Sequence, residues 1–362
     1  MKIAIIGNGG REHAIADQIS KSPKLNKLYC LPGNAGTKLI AENIKIDIYD
    51  FEKLGNFVDK YKIDLVIVGP EKPLVDGVVD FLANKGIMVF GPNKISSQLE
   101  GSKIFTKKIC EKYKIPTAQF GVFGSVKDAY KYLEKANKPI VVKADGLAAG
   151  KGVYICEDTD SAKNAVDEIF NGKFGTANQV LIEEFLKGEE MSYFVISDGK
   201  TFKKFNTAQD HKRVGEGDKG KNTGGMGAYS PSGLINKDLD LKIIESVVKP
   251  TFKAIEEMGK TYKGFLYVGL MIKENKPYLI EYNVRMGDPE CQTILPLLNS
   301  DLLELILSCC EENLENQTIK WKNKKSMCVV LCSNGYPDIY KKKVEIPHLE
   351  KITKNNNTFI YH

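Results

Sequence analysis

Through the first 100 or so residues, short apolar runs rich in β-branched side chains alternate with longer stretches of helical period. The runs Ile3–Ile6, Lys27–Pro32, Asp64–Val68 and Met88–Phe90 predict four strands, each running into a turn of glycine or proline. Apolar strands separated by helical segments are the pattern of a parallel, doubly wound sheet, whose ligands bind at the C-terminal ends of the strands. A helix is expected over Lys103–Lys114, then an extended stretch through Thr117–Phe123.

Residues 125–186 read as a compact αβ unit. Its helices fall near Val126–Lys135 and Ser161–Phe170, its strands at Pro139–Ala144, Val153–Cys156 and Val180–Phe185, with a glycine loop at Asp145–Gly152. From 189 onward longer antiparallel strands are expected at Met191–Ile196, Phe202–Thr207, Gly264–Ile272 and Pro277–Asn283. Helices are expected near Leu239–Met258, Cys291–Leu297 and Leu302–Asn313, and Met327–Ser333 starts a further element. The segment Asp210–Pro231 breaks the pattern. It is glycine-rich, carries mixed charges, offers no hydrophobic face, and for most of its length predicts neither helix nor strand. It reads as a solvated linker or as a mobile loop that closes over a charged, phosphate-bearing substrate. His211-Lys212-Arg213 together with Gly224-Gly225-Met226-Gly227 favours the loop.

Composition narrows the class. The 362 residues exceed one core and suggest roughly two to four domains. With 42% hydrophobic and 27% charged residues the chain reads as an ordinary soluble protein. A net charge of +6, spread along the chain, gives no reason to expect nucleic acid or membrane as partner and suits small anions. The apolar runs are too short to span a bilayer, and an N-terminus that enters a strand at once leaves no room for a signal peptide. The eight cysteines form no metal-like pairs of pairs; Cys309–Cys310 and Cys328/Cys332 read as buried apolar positions. A reducing, cytoplasmic setting is expected.

Four segments carry candidate chemistry. Gly7-Asn8-Gly9-Gly10-Arg11, between strand and helix, aims backbone N–H groups at an anion; the alternative is a tight turn with no ligand. A dinucleotide fingerprint needs a third glycine where Glu12 stands and an acid ending the second strand, so a single phosphate fits better. In Asp145–Gly152 three residues separate Gly146 from Gly150, where a Walker A loop has four, and Gly152 stands where that loop has Ser or Thr. A glycine hairpin folding onto phosphates, with Lys143 and Lys151 as point charges, suits it better, although Lys143 could instead snorkel to solvent. Val180–Glu190 offers main-chain groups to an adenine edge and Glu190 to ribose hydroxyls, a signal that is weak alone. In Glu281-Tyr282-Asn283-Val284-Arg285, positions i and i+2 of a strand share a face. Glu281 and Asn283 then present two hard oxygen ligands suited to Mg²⁺–nucleotide, with Arg285 beyond them for an oxyanion; a structural hydrogen-bond network is the alternative.

These segments resemble the ATP-grasp ligases, and more narrowly the phosphoribosylamine–glycine ligase family of purine biosynthesis. The matching pieces run in order: 7–13, 32–37, 68–75, 99–103, 143–153, 209–215, 222–231 and Gly-Asp-Pro-Glu at 287–290. The resemblance implies an α/β protein with an N-terminal sugar-phosphate domain (1–100). It implies an ATP-grasp central subdomain (101–124 and 187–325), a lid subdomain (125–186) and a small, truncated C-terminal domain (326–362). It implies glycine, 5-phosphoribosylamine and ATP as substrates and Mg²⁺ or Mn²⁺ as metal; the sequence does not fix the oligomeric state, with a monomer slightly favoured. Catalytic roles fall to Arg285, Asp210 and Lys212, with Asp210 holding the glycine ammonium. ATP falls to Lys103, Lys143, Gly150, Lys151, Gly152, Glu183, Leu186 and Glu190. The other substrates fall to Gly9, Gly10, Asn34, Glu71, His211, Arg213, Gly225 and Asp288, and the metal to Glu281 and Asn283. Val268–Ile272 lacks the further metal-binding acid of many ATP-grasp enzymes, which leaves the metal count open. The alternative is another ATP-grasp carboxylate–amine ligase or a carboxylase.

Overall fold

The computed structural model describes residues 1–147, 152–217, 219–342, 344–346 and 357–362. Strands β1 (Lys2–Gly7), β2 (Lys27–Pro32), β3 (Glu42–Asn43), β4 (Leu65–Val68) and β5 (Met88–Phe90) form a sheet in the order β3-β2-β1-β4-β5. Every neighbouring pair is parallel. Ile3 and Ile5 pack into one apolar cluster, Ala4 and Ile6 into another on the opposite face. A strand buried on both faces has no polar side to alternate with, which is why it reads as an unbroken apolar run.

Strands β6 (Phe120–Phe123), β7 (Ile140–Ala144), β8 (Val153–Cys156) and β9 (Val180–Glu184) form an antiparallel sheet in the order β6-β9-β7-β8. Helices Val126–Lys135 and Thr159–Phe170 close a separate core around Leu133, Val142, Val166 and Ile182. Strands β10 (Glu189–Asp198) and β11 (Phe202–Lys204) join a third sheet, completed later in the chain.

Here the structure corrects the sequence reading. Asp210–Pro231 is chiefly a hairpin, β12 (Gln209–Gly215) and β13 (Lys219–Ser230). Its pairing continues onto β16 (Ser326–Val329), with Gly227 opposite Val329 and Ala228 opposite Cys328. Glycine has low strand propensity, but Gly227 faces Cys328 so closely that a Cβ would overlap its carbonyl. Strands β14 (Lys263–Lys273) and β15 (Lys276–Asn283) complete the third sheet, ordered β11-β10-β14-β15. The helix expected over Leu239–Met258 is present but carries a π turn at Ile244–Val248, just ahead of Pro250, which has no N–H for the α ladder. Among the paired cysteines Cys309 is buried, whereas Cys310 and Cys328 are half-buried and Cys332 is exposed, correcting the expectation for all but the first.

Candidate active site

A cavity of about 510 Å³ opens where the sheets meet. The helices that follow β1 and β4 contribute Arg11 and Glu71, the second sheet Lys143 and Glu183, and the third Glu281 and Asn283. Leu186, Glu190, Asp210, Lys212, Arg285 and Asp288 also line it, as do Lys103 and Gly152. Gly9, Gly10, Asn34, His211, Arg213 and Gly225 are not among its lining residues. Gly150 and Lys151 lie outside the described residues.

On the second sheet Lys143 does not snorkel. Its Nζ is buried 2.9 Å from Glu183 Oε2, and Lys107 Nζ stands 3.3 Å from Oε1 of the same carboxylate. Lys107 also donates to Thr117 Oγ1 at 2.5 Å, and Thr117 to the Leu279 carbonyl at 2.6 Å. Burial lowers the Lys107 ammonium against the pull of Glu183. Glu183 Oε1 is buried and makes no hydrogen bond among the described residues, its charge being met by Lys107. Lys103, lowered chiefly by burial, donates to the Gly146 carbonyl at 2.9 Å. Asp145 accepts from Ser102 Oγ and from the Ile104 N–H, tying the near end of the glycine loop to the start of helix Lys103–Tyr113.

Glu281 and Asn283 alternate on β15, opposite Gly269 and Tyr267 of β14. Burial pushes the Glu281 carboxyl up, but Lys212, Lys143, Lys103 and Arg285 outweigh it and hold it below the ordinary value. An ionised carboxylate beside an amide oxygen suits a hard cation. Among the described residues no cluster of three or more His, Cys, Asp or Glu side chains is disposed to bind a metal. Two protein oxygens with room for phosphates and water fit a divalent ion that arrives with a nucleotide, not a fully protein-caged one.

Across the cavity, Lys212 Nζ pairs with Glu190 Oε2 at 2.8 Å. Burial works against the Lys212 charge, but Tyr267, Asp210, Glu190 and Glu281 hold it well above its ordinary value. Asp210 is raised by burial, and Glu190 and Glu281 add to this against Lys212. Glu290, buried and accepting from Ser192 Oγ at 3.0 Å, is raised by burial and by Asp210. Two carboxyls that resist ionising together welcome a cationic ligand. His211 is exposed, its ring 6.2 Å from that of Tyr229.

The first sheet's glycine loop differs from its expected use. The Gly9 N–H donates to Glu12 Oε2 at 2.8 Å, so the residue standing where a third glycine was sought satisfies this helix start itself. Glu12 also takes Arg11 Nε at 2.6 Å. Asn34 is spent on the main chain, donating to the Asn8 carbonyl at 3.0 Å and accepting from Gly36 and Thr37, both at 2.9 Å. Arg285 leaves the β15 face: its Nη2 lies 2.6 Å from Glu100 Oε1 and its Nε 3.4 Å from Glu71 Oε2. Sequence reading missed Glu100 and Lys107 as cavity-lining residues, and Glu12 as the partner of the glycine turn. Lys107 had a signal, since it shares an i, i+3 stripe with Ile104 and Cys110 on the buried face of its helix.

A cavity roofed by one antiparallel sheet with an inward lysine and floored by another bearing an acid–amide pair is the ATP-grasp arrangement. A biotin carboxylase structure from Campylobacter jejuni shares this fold, with TM-score 0.68 at 17% identity over 90% of this chain and 74% of that one. The particular family follows from sequence: residues 1–100 match the phosphoribosylglycinamide synthetase N domain and 101–291 its ATP-grasp (A) domain. The chain belongs to the phosphoribosylglycinamide synthetase family. It is 46% identical to the phosphoribosylamine–glycine ligase of Brucella melitensis over 363 aligned positions, covering 100% of this chain and 85% of the relative. The crystal structure of the Thermotoga maritima phosphoribosylamine–glycine ligase superposes with TM-score 0.83 at 34% identity, over 94% of this chain and 83% of that one.

Proposed function

We propose that the chain joins glycine to 5-phosphoribosylamine with conversion of ATP to ADP and phosphate, through a glycyl phosphate, as a step of purine biosynthesis in the cytoplasm. The observation that carries this reading is one cavity holding an ionised Glu281 beside Asn283, inward cations, and a pair of carboxyls suited to an ammonium. Family membership supports it.

A carboxylate is a poor electrophile, so glycine's carboxylate first attacks the γ-phosphorus of ATP and displaces ADP. That step brings an anion against a polyanion. Lys103, Lys143 and Lys212 neutralise the repulsion, and Arg285 takes charge that develops on the transferred phosphoryl group. Mg²⁺ or Mn²⁺ held by Glu281 and Asn283 would supply further charge neutralisation there. Asp210, with Glu290 beside it, holds the glycine ammonium. The amine of phosphoribosylamine then attacks the acyl carbon and expels phosphate. Glu183 and the main chain through Leu186 take the adenine, Glu190 the ribose, and Glu71 the acceptor's hydroxyls. Gly150 to Gly152 and the β12–β13 hairpin exclude water from an intermediate that water would hydrolyse. The N-terminal 100 residues serve as the sugar-phosphate domain, residues 125–186 as the lid, and the chain acts as a monomer.

The test is ADP release with phosphoribosylamine generated in situ. Wild type should turn over only with glycine, not with bicarbonate or formate in its place, and Glu281→Ala should lose turnover while still unfolding in one cooperative transition, at a lower temperature than wild type. Glycine-independent ADP release, or wild-type turnover by Glu281→Ala, would overturn the reading.

A further inference from the structure

Glu100 lies in the short helix Gln98–Gly101, between the first sheet and helix Lys103–Tyr113, far in sequence from the acid–amide strand. Its carboxylate is nonetheless spent entirely there. Oε2 accepts from the Val284 N–H at 2.7 Å and Oε1 from Arg285 Nη2 at 2.6 Å, with the Glu100 side chain 7% exposed. Arg285 Nη1 donates to the Met286 carbonyl at 3.3 Å. Its Nε is buried and without a hydrogen-bond partner among the described residues, though Glu71 Oε2 stands nearby. One carboxylate therefore fixes both the turn that follows Asn283 and the plane of the guanidinium, while Nε on its far edge faces Glu71.

We propose that Glu100 is a positioning residue for phosphoryl transfer: it holds Arg285 in the cavity wall so that the guanidinium, which lines the cavity, meets an oxyanion there. This rests on the activity proposed above. Two further features support it. A buried carboxylate costs several kcal/mol in desolvation, and for a structural contact alone a neutral group would serve as well. Glu71 and Glu100 also face the same guanidinium, and their mutual repulsion works against packing both there. Such frustrated charge pairs cluster at working sites. The other charged groups acting on Glu100 are Arg285 and Arg11, while Lys103 and Tyr262 feel its charge in turn.

Glu100→Gln keeps an acceptor for Val284 and removes the charge that orients Arg285. With ATP, glycine and phosphoribosylamine saturating at about pH 8.5, where the Glu100 carboxyl is ionised, kcat should fall by about 30-fold or more, while the Kd for ATP stays within about threefold and the melting temperature does not fall. In Glu100→Gln/Arg285→Ala, kcat should match that of Arg285→Ala alone, because the two residues act as a unit. Additive losses in the double variant, or kcat of Glu100→Gln within twofold of wild type, would overturn the proposal. So would parallel loss of ATP affinity and melting temperature, which would mark a purely structural contact. Failure of the activity reading is distinguishable, because it shows in wild type as ADP release that does not depend on glycine.

Discussion

Lys143 Nζ lies 2.9 Å from Glu183 Oε2, both side chains buried, on neighbouring strands of the lysine-bearing sheet. Val141 is the residue opposite Glu183, so Lys143 reaches it diagonally along the same face. Removing the cation alone leaves a buried carboxylate with only Lys107 nearby. Lys143→Met should cost roughly 3 kcal/mol and abolish ATP binding. Lys143→Met/Glu183→Leu should recover only part of that stability, because it strips the buried Lys107 of its carboxylate, and none of the binding. Urea melts and ATP titration of both variants check this; recovery of ATP binding in the double variant would contradict the site role.

Asn283 is expected to act through the metal and not through the fold, because its neighbour Glu281 already carries the charge. Asn283→Ala should raise the Mg²⁺ or Mn²⁺ concentration needed for half-maximal ADP release by about tenfold or more, with little change in melting temperature. A metal titration curve unchanged from wild type would remove Asn283 from the donor set.

Gly225 has φ +125, and a Cβ there would overlap the Pro289 ring. Gly225→Ala should cost about 1–3 kcal/mol and shift the hairpin away from the Asp288–Glu290 segment. Gly233→Ala, with nothing within 4 Å of the added methyl, should stay within about 0.5 kcal/mol of wild type. Denaturant midpoints for the pair separate strain from a general intolerance of this region.

Burial, with Glu71 adding to it, pushes the Glu100 carboxyl from the usual 4.5 up to about 7. Between those values the folded chain holds a proton the unfolded chain has released, so this group makes stability fall as pH rises through that window and level off above it. Glu71 and Glu281, held below the ordinary carboxylate value, act in a separate window: their stabilisation is present above about 4.5 and is lost as pH falls further. Thermal melts at pH 5 and 7.5 should therefore differ less for Glu100→Gln than for wild type, by a few kcal/mol at most. An identical pH dependence for the two would show that Glu100 titrates normally.

Short apolar strands were legible from the chain alone: the expected bounds of β2 and β5 match the structure, as do those of β8. The β12–β13 hairpin was not legible, because its strands owe their form to pairing and carry no alternation of apolar and polar side chains for a local reading to detect. The acid–amide pair was visible as a motif, since i and i+2 on a strand fix its geometry. Glu100 was invisible for the opposite reason, its partners lying 184 and 185 positions away. Glu12 was seen only as a missing glycine, although a glutamate three residues past a helix start has a capping use of its own.

Because Arg11 and Glu71 come from the first sheet while Arg285 follows the third, no single folding unit owns the cavity. A chimera that exchanges the leading 100 residues for a relative's would inherit this seam, and would work only when the incoming acid and the resident arginine suit each other.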